Sequence, residues 1–260
     1  MADTPDGFPP KQDVVGTGIS LIGFDDLVTS FQERPPDRAT VVTITNVHAV
    51  MSARRDPELR AALDAADIST PDGMPVAWAL RSMGQPDQER VYGAKVTTTT
   101  LEAGLARGWR HYFYGSTDET LAALQAALEA SYEGIAIAGA MSPPFRQLSD
   151  EEEDEIAAEI MEMRPDFVWV GLGMPKQEKW MHRNIGRYPG VVVVGIGAAF
   201  DFLAGTKPEA PGWMQRAGLE WLFRLGSEPK RLWRRYIFNN PAYLFLWTKQ
   251  MIGWRLRNRA

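Results

Sequence analysis

Phe167-Val-Trp-Val-Gly171-Leu-Gly173-Met-Pro175-Lys-Gln177-Glu178-Lys-Trp180 is an apolar run of strand length that ends in glycines and leads into a polar, helix-compatible segment. Val191-Val-Val-Val-Gly195-Ile-Gly197-Ala-Ala-Phe-Asp201 has the same form. Uninterrupted apolar runs of this kind read as strands buried on both faces, which belong to parallel sheets covered by helices. Glycines at their ends let a backbone approach a ligand closely. An arginine series follows, in Glu220-Trp-Leu-Phe-Arg224 and Glu228-Pro-Lys-Arg231-Leu-Trp-Arg234-Arg235. Guanidinium groups are the usual counter-charges of a phosphate. The stretch reads as a nucleoside-diphosphate site.

Working outward, Thr40–Thr45, Arg110–Gly115 and Ile135–Ala140 are expected strands, and Ile19–Phe24 contains a further short one. Helices are expected from about Val47, from Asp56-Pro57, after Ser116 with Glu119 completing a capping box, and over Asp150–Met163 behind the box Ser149/Glu152. Strands and helices therefore alternate from Thr40 to Asp201. That pattern implies an α/β fold with a doubly wound, mostly parallel, Rossmann-like sheet. Residues 1–16 read as a mobile leader and 17–211 as the α/β core. Residues 212–260 read as a basic, aromatic, helical C-terminal appendage, set off by Thr206-Lys-Pro-Glu-Ala-Pro211.

The chain has 260 residues, 45% of them hydrophobic, and no cysteine. Disulfides and thiolate chemistry are excluded, and a reducing compartment is compatible. The polar, acidic opening Met1-Ala-Asp-Thr-Pro-Asp-Gly has no signal-peptide character. No apolar run reaches the ~20 residues that span a bilayer. Net charge is −5, yet Trp213–Ala260 holds ten Lys/Arg against two Asp/Glu, a balance of +8. Residues 1–212 then carry −13 of that total. An anionic partner is implied for the tail, whether phosphate, nucleic acid or membrane.

Several positions can carry chemistry, each with a plainer reading beside it. Asp72, in Pro71-Asp72-Gly73, can be a base at a sheet edge or a simple Asx-turn. Thr45 and Asn46 are polar where a strand ends and can face the same cleft, or Asn46 can cap a helix. Gly173 and Gln177 open a helix after a strand, which is also an ordinary link. Gly195 and Gly197 form a near miss for the dinucleotide fingerprint, with Phe200 in the sixth place. Asp201 suits a ribose or uracil edge. Arg224, Arg231 and Arg234 can clamp phosphate, lie on a membrane, or form surface salt bridges. No D-x-D, G-x-S-x-G or P-loop motif occurs. The three histidines are scattered, and no metal site is expected.

These motifs, in this order, resemble the WecG/TagA/CpsF glycosyltransferases of bacterial cell-surface polymer synthesis. The similarity covers roughly Val14–Tyr243. Asp56-Pro-Glu-Leu-Arg60, Pro71-Asp72-Gly73, Gly171–Trp180, Gly195–Asp201 and Glu220–Arg231 carry it. The resemblance implies inverting, metal-independent transfer of a hexosyl or N-acetylhexosaminyl group, N-acetylmannosaminyl among them, from a UDP-sugar. The acceptor would be a polyprenyl-diphosphate-linked saccharide, and no cofactor is expected. It implies Asp72 as base with Thr45 and Asn46 beside it. Gly173, Gln177, Gly195, Gly197 and Asp201 would hold the donor, and Arg224, Arg231 and Arg234 the diphosphate. It also implies a cytoplasmic, peripheral place at the inner face of the plasma membrane, contact with anionic lipid rather than nucleic acid, and leaves an oligomer open. A nicotinamide-dependent α/β oxidoreductase and a non-catalytic UDP-sugar-binding membrane scaffold are the competing classes.

Overall fold

The computed structural model describes residues 7–257. The chain begins with strands β1 (Lys11–Val14) and β2 (Thr17–Ser20), then helix α1 (Phe24–Gln32) and β3 (Thr40–Thr45). Next come α2 (Val47–Ala53), α3 (Pro57–Ala65), β4 (Ile68–Pro71), α4 (Met74–Ser82) and α5 (Gly93–Leu105). The middle holds β5 (Arg110–Gly115), α6 (Asp118–Ser131), β6 (Ala136–Met141), α7 (Asp150–Glu162) and β7 (Phe167–Gly171). Then follow α8 (Lys176–Asn184), β8 (Val192–Gly195) and the short α9 (Ala199–Leu203). The tail is α10 (Gly212–Arg216), α11 (Glu220–Ser227) and the long α12 (Pro229–Arg257).

Six strands form one parallel sheet in the order β4-β3-β8-β7-β5-β6. This is the doubly wound α/β architecture that the alternating pattern implies. Strand alternation sorts the two faces. Val42, Phe113, Phe167, Trp169, Val192 and Val194 pack on one side with α1, α5, α6 and α9 residues such as Phe31, Leu101, Leu124 and Phe200. Val41, Tyr112, Tyr114, Val168, Val170 and Val193 pack on the other with Ile160 of α7 and Trp180 of α8. The capping box Ser149/Glu152 is formed at the start of α7. At α6, Thr117 rather than Ser116 is the cap, accepting from the Thr120 amide at 3.3 Å. Ser116 instead turns at φ 63 and donates its amide to the Gly171 carbonyl.

Two expectations change. The segment Ile68–Pro75 reads as turn-rich, yet Ile68–Pro71 pairs along β3 as the sheet's edge strand, with Pro71 as its last residue. A mobile leader over 1–16 is also too long. Lys11–Ser20 forms an antiparallel hairpin in which Val14 and Val15 are buried, while residues 1–6 lie outside the described ones. The hairpin shares a core with Val50, Leu80, Tyr243 and Met251, so the far half of α12 packs on the beginning of the chain. Gln250 fastens the two, accepting from the Val15 amide at 2.8 Å and donating to the Asp13 carbonyl at 2.9 Å.

Candidate active site

Neighbouring strands β3 and β8 send their chains to opposite faces. The helices after β3 lie with α8 on one side, and α9 lies with α5 and α6 on the other. A crevice opens at such a switch point, beyond the carboxyl ends of the strands. Here it is a cleft of about 640 Å³ roofed by α10–α12.

Asp72 stands on its wall one residue past the edge strand. Its amide donates to the Thr45 and Thr70 carbonyls, both at 3.0 Å. Gly73, at φ +82, turns the chain directly into α4. Arg90 Nε and Nη2 donate to Asp72 Oδ1 at 3.2 and 3.1 Å, and Arg90 Nη2 also reaches Glu220 Oε2 of α11 at 2.5 Å. Burial works against the Arg90 charge, but the Asp72 and Glu220 carboxylates outweigh it and raise its pKa. Asp72 Oδ2 makes no hydrogen bond among the described residues.

Asn46 lines the cleft and also caps α2. Its Oδ1 accepts from the His48 and Ala49 amides at 3.0 and 3.2 Å, so both sequence readings hold together. Thr45 does not face the cleft. It is fully buried, its hydroxyl 3.1 Å from that of Thr43, and it serves Asp72 through its carbonyl. Asp201 is likewise drawn away. Its carboxylate takes Lys207 Nζ at 2.8 Å and its carbonyl closes the turn at Thr206, so it fastens α9 to the segment leading into the tail and is not among the residues lining the cleft.

Gly173, Gln177, Gly195 and Gly197 all line the cleft. The glycines do not offer a phosphate nest, because the Ile196 and Gly197 amides both donate to the Val170 carbonyl. They make room for Gln177. A Cβ on Gly195 would stand 3.1 Å from its Nε2, and one on Gly197 3.1 Å from its Oε1. Gln177 Nε2 donates to Glu178 Oε1 at 2.9 Å, leaving Gln177 Oε1 and Glu178 Oε2 buried with no partner. Burial pushes the Glu178 carboxyl up to about 7.

The arginines converge unequally. Arg224 pairs with Glu220 at 2.9 Å and lies over Phe202, and Arg231 pairs with Glu228. Arg234 lines the cleft with no carboxylate partner among the described residues. So does Arg235, which the sequence reading leaves out of the phosphate set. It is the deepest of the series. Its Nε is buried without a partner, and Nη2 reaches Asn46 Oδ1 at only 3.5 Å. Burial lowers its pKa, and the Arg224 and Arg231 charges add to the effect. Next to it, burial first and then the Arg235 and Arg55 charges push His48 down to about 3. The Asn239 amide nitrogen sits 2.9 Å from His48 Nδ1 and can only donate, which places the ring proton on Nε2. Spacing gave no signal for Arg90 or His48. The doubled arginine at 234–235 was the available cue for Arg235, since adjacent positions point about 100° apart and spread charge over a wide arc of the helix. Among the described residues no cluster of three His, Asp or Glu is placed to hold a metal.

A carboxylate on one wall of a switch-point crevice, facing uncompensated guanidinium groups, is the layout of an α/β enzyme that moves a group off a phosphate leaving group. The sequence match narrows this. Residues 12–257 match the model of the "Glycosyl transferase WecG/TagA/CpsF family", and the chain belongs to that family and is a glycosyltransferase. It is 31% identical over 208 residues to the N-acetylglucosaminyldiphosphoundecaprenol N-acetyl-beta-D-mannosaminyltransferase of Bacillus spizizenii, covering 80% of this chain and 78% of that one. The protein of the same name from Bacillus subtilis is 30% identical over 210 residues, 81% and 79% of the two chains. The one from Staphylococcus aureus is 26% identical over 228 residues, 86% and 87%.

Proposed function

We propose that the protein transfers an N-acetylhexosaminyl group, N-acetylmannosaminyl by the relatives' names, from a UDP-sugar to a polyprenyl-diphosphate-linked N-acetylglucosamine, with inversion. The observation that carries it is Asp72 with Oδ2 unengaged, in one cleft with Arg234 and the unpartnered Arg235. Asp72 Oδ2 takes the proton of the acceptor hydroxyl as that oxygen attacks C1. The bond from C1 to the diphosphate breaks, and its electron pair leaves with UDP. Arg224, Arg231, Arg234 and Arg235 meet the charge that grows on the diphosphate, a contribution of about 3 kcal/mol for a well-placed donor. Arg90 holds Oδ1 and so orients the carboxylate. Glu220 shares Arg90, which limits how far that charge weakens the base. Gln177 Oε1, an orphaned acceptor for which Gly195 and Gly197 leave room, suits an N–H or hydroxyl donor of uridine, and Glu178, protonated below about 7, offers Oε2 as a donor. An α-linked donor giving the β product in the relatives' names is inversion.

No described helix is long and apolar enough to cross a membrane. Trp233, Ile237, Phe238, Leu244, Phe245, Ile252 and Leu256 are exposed on α12. At about 3.6 residues per turn they share one side of it. With the basic tail, this face suits peripheral binding to an anionic bilayer at the cytoplasmic side, where a lipid-linked acceptor resides. Incubation with a panel of UDP-sugars and a short-chain polyprenyl-diphosphate N-acetylglucosamine tests the proposal. UDP release with a new β-linked disaccharide is expected. Absence of transfer from every UDP-sugar, with UDP bound normally, would leave a binding scaffold instead.

A further inference from the structure

A second, smaller cavity of about 90 Å³ adjoins the main cleft at Asp72. It shares Asn46, Asp72, Arg90, Glu220, Arg224 and Arg235, among others, with the main cleft, so the two are adjoining chambers with the carboxylate at their boundary. Their remaining walls differ in chemistry. The main cleft has the glycine loops, Gln177, Arg231 and Arg234. The smaller one has Met74, Pro75, Trp221 and Tyr236, with the Asn240 side chain at its rim. Trp221 of α11 and Tyr236 of α12 pack with ring centroids 5.7 Å apart at 57°, and Trp221 keeps 37% of its surface exposed. The cavity therefore offers a flat apolar wall with a few amide and imidazole groups; its cations, Arg90, Arg224 and Arg235, all lie on the boundary it shares with the main cleft, whereas Arg231 and Arg234 line the main cleft alone.

Inversion fixes where the two substrates must stand. The attacking oxygen approaches C1 opposite the leaving diphosphate, and Asp72 must touch that oxygen. With the diphosphate toward Arg231 and Arg234 of the main cleft, the attacking sugar has to stand across C1 from it, beside Asp72. We propose that the smaller cavity is the acceptor-sugar subsite, with Trp221 and Tyr236 as the platform for an N-acetylhexosamine. The C–H face of a pyranose matches an indole face, and an acetamido methyl fits an apolar recess of this volume. The rest of the sugar and its lipid diphosphate project through the open side. The platform comes wholly from α11 and α12, and the base comes from β4–α4. The assignment rests on the proposed UDP-sugar transfer.

The test is steady-state kinetics with UDP-N-acetylmannosamine and a short-chain polyprenyl-diphosphate N-acetylglucosamine, on Trp221→Ala, Trp221→Leu and Trp221→Phe, with UDP affinity measured alongside. In the Ala and Leu variants the acceptor KM should rise about tenfold or more. The donor KM and the UDP Kd should stay within twofold, and Phe should restore most of the loss. Leu keeps apolar volume without a flat face, so it answers if the Ala variant is poorly folded. Unchanged acceptor KM in Ala and Leu, or equal rises for donor and acceptor, overturns the subsite. A wild-type protein that binds UDP but transfers nothing overturns the underlying reading instead, and is seen before any variant is made.

Discussion

At Asp72 two requirements meet: a fixed carboxylate and a free oxygen. The edge strand and Gly73 hold the backbone, Arg90 takes Oδ1, and Oδ2 is left for the acceptor. Asp72→Asn keeps the size and the Arg90-facing oxygen but cannot accept the proton. Transfer should fall about 10²–10⁴-fold while the UDP Kd stays within twofold; near-normal turnover in the folded variant removes Asp72 from the role. Among the arginines, the unpaired and buried one should matter most. Arg235→Ala should weaken UDP binding about tenfold or more, and Arg234→Ala less, with uridine barely affected. Calorimetry with both ligands separates this from a folding defect, which lowers both alike. Glu178 gives a pH signature. The native carboxyl keeps its proton up to about 7, against 4.5 for the unburied group. Between those values the folded state binds more protons than the unfolded one, so stability falls as pH rises from about 4.5 to 7. Glu178→Gln should remove that slope. Thermal unfolding of both proteins at pH 5 and pH 7 measures the difference, and parallel curves would mean that Glu178 is not held neutral.

Among the elements, α12 reads differently from its local chemistry. Asn239-Asn-Pro241 has the character of a break, yet the helix runs on through Pro241. Tertiary packing explains it. Tyr243 is buried with its hydroxyl 3.1 Å from the Pro75 carbonyl, and Asn239 is buried against His48. Tyr243→Ala should cost about 3–5 kcal/mol, and Tyr243→Phe about 1 kcal/mol. Denaturant unfolding reads both, and an Ala variant as stable as wild type would mean that α12 is not part of the core. Strands β3 and β5 were legible to the residue because β-branched and aromatic runs end abruptly at Asn46 and Ser116. The hairpin was not. Its apolar residues are few, and two of its partners, Tyr243 and Met251, lie more than two hundred positions away, which no local pattern reports. The site was legible in the same proportion. Motif glycines, Gln177 and the arginines came together in the cleft, whereas Thr45 turned inward at its strand end and Asp201, on α9, was taken by Lys207.

For the whole molecule, charge is unevenly placed. The tail carries +8 against −13 elsewhere, and its exposed apolar side lies on α12. Co-sedimentation with anionic vesicles should be strong at low salt and fall at high salt, with neutral vesicles binding weakly. Phe245→Ser with Ile252→Ser, both exposed and outside the cleft, should reduce binding while leaving UDP affinity unchanged. Equal binding by the double variant and wild type would assign that face to another partner. Removal of the tail after Pro211 is a poor substitute for this test, since it uncovers Val14, Val50 and Leu80 as well.

The clasp between Gln250 and the hairpin has a consequence for synthesis. Val14, Val15 and Ile19 leave the ribosome more than two hundred residues before Tyr243 and Met251, which help to cover them. The central sheet can close while translation continues; this corner cannot, and its contacts are of the slowest, most distant kind. A nascent chain stalled inside α12 would therefore carry a finished sheet and an open seam. It would also lack Arg234 or Arg235 if the stall came earlier in the helix. Such a product would present its own uncovered apolar residues to proteases, so that the closed fold appears only in chains read through α12.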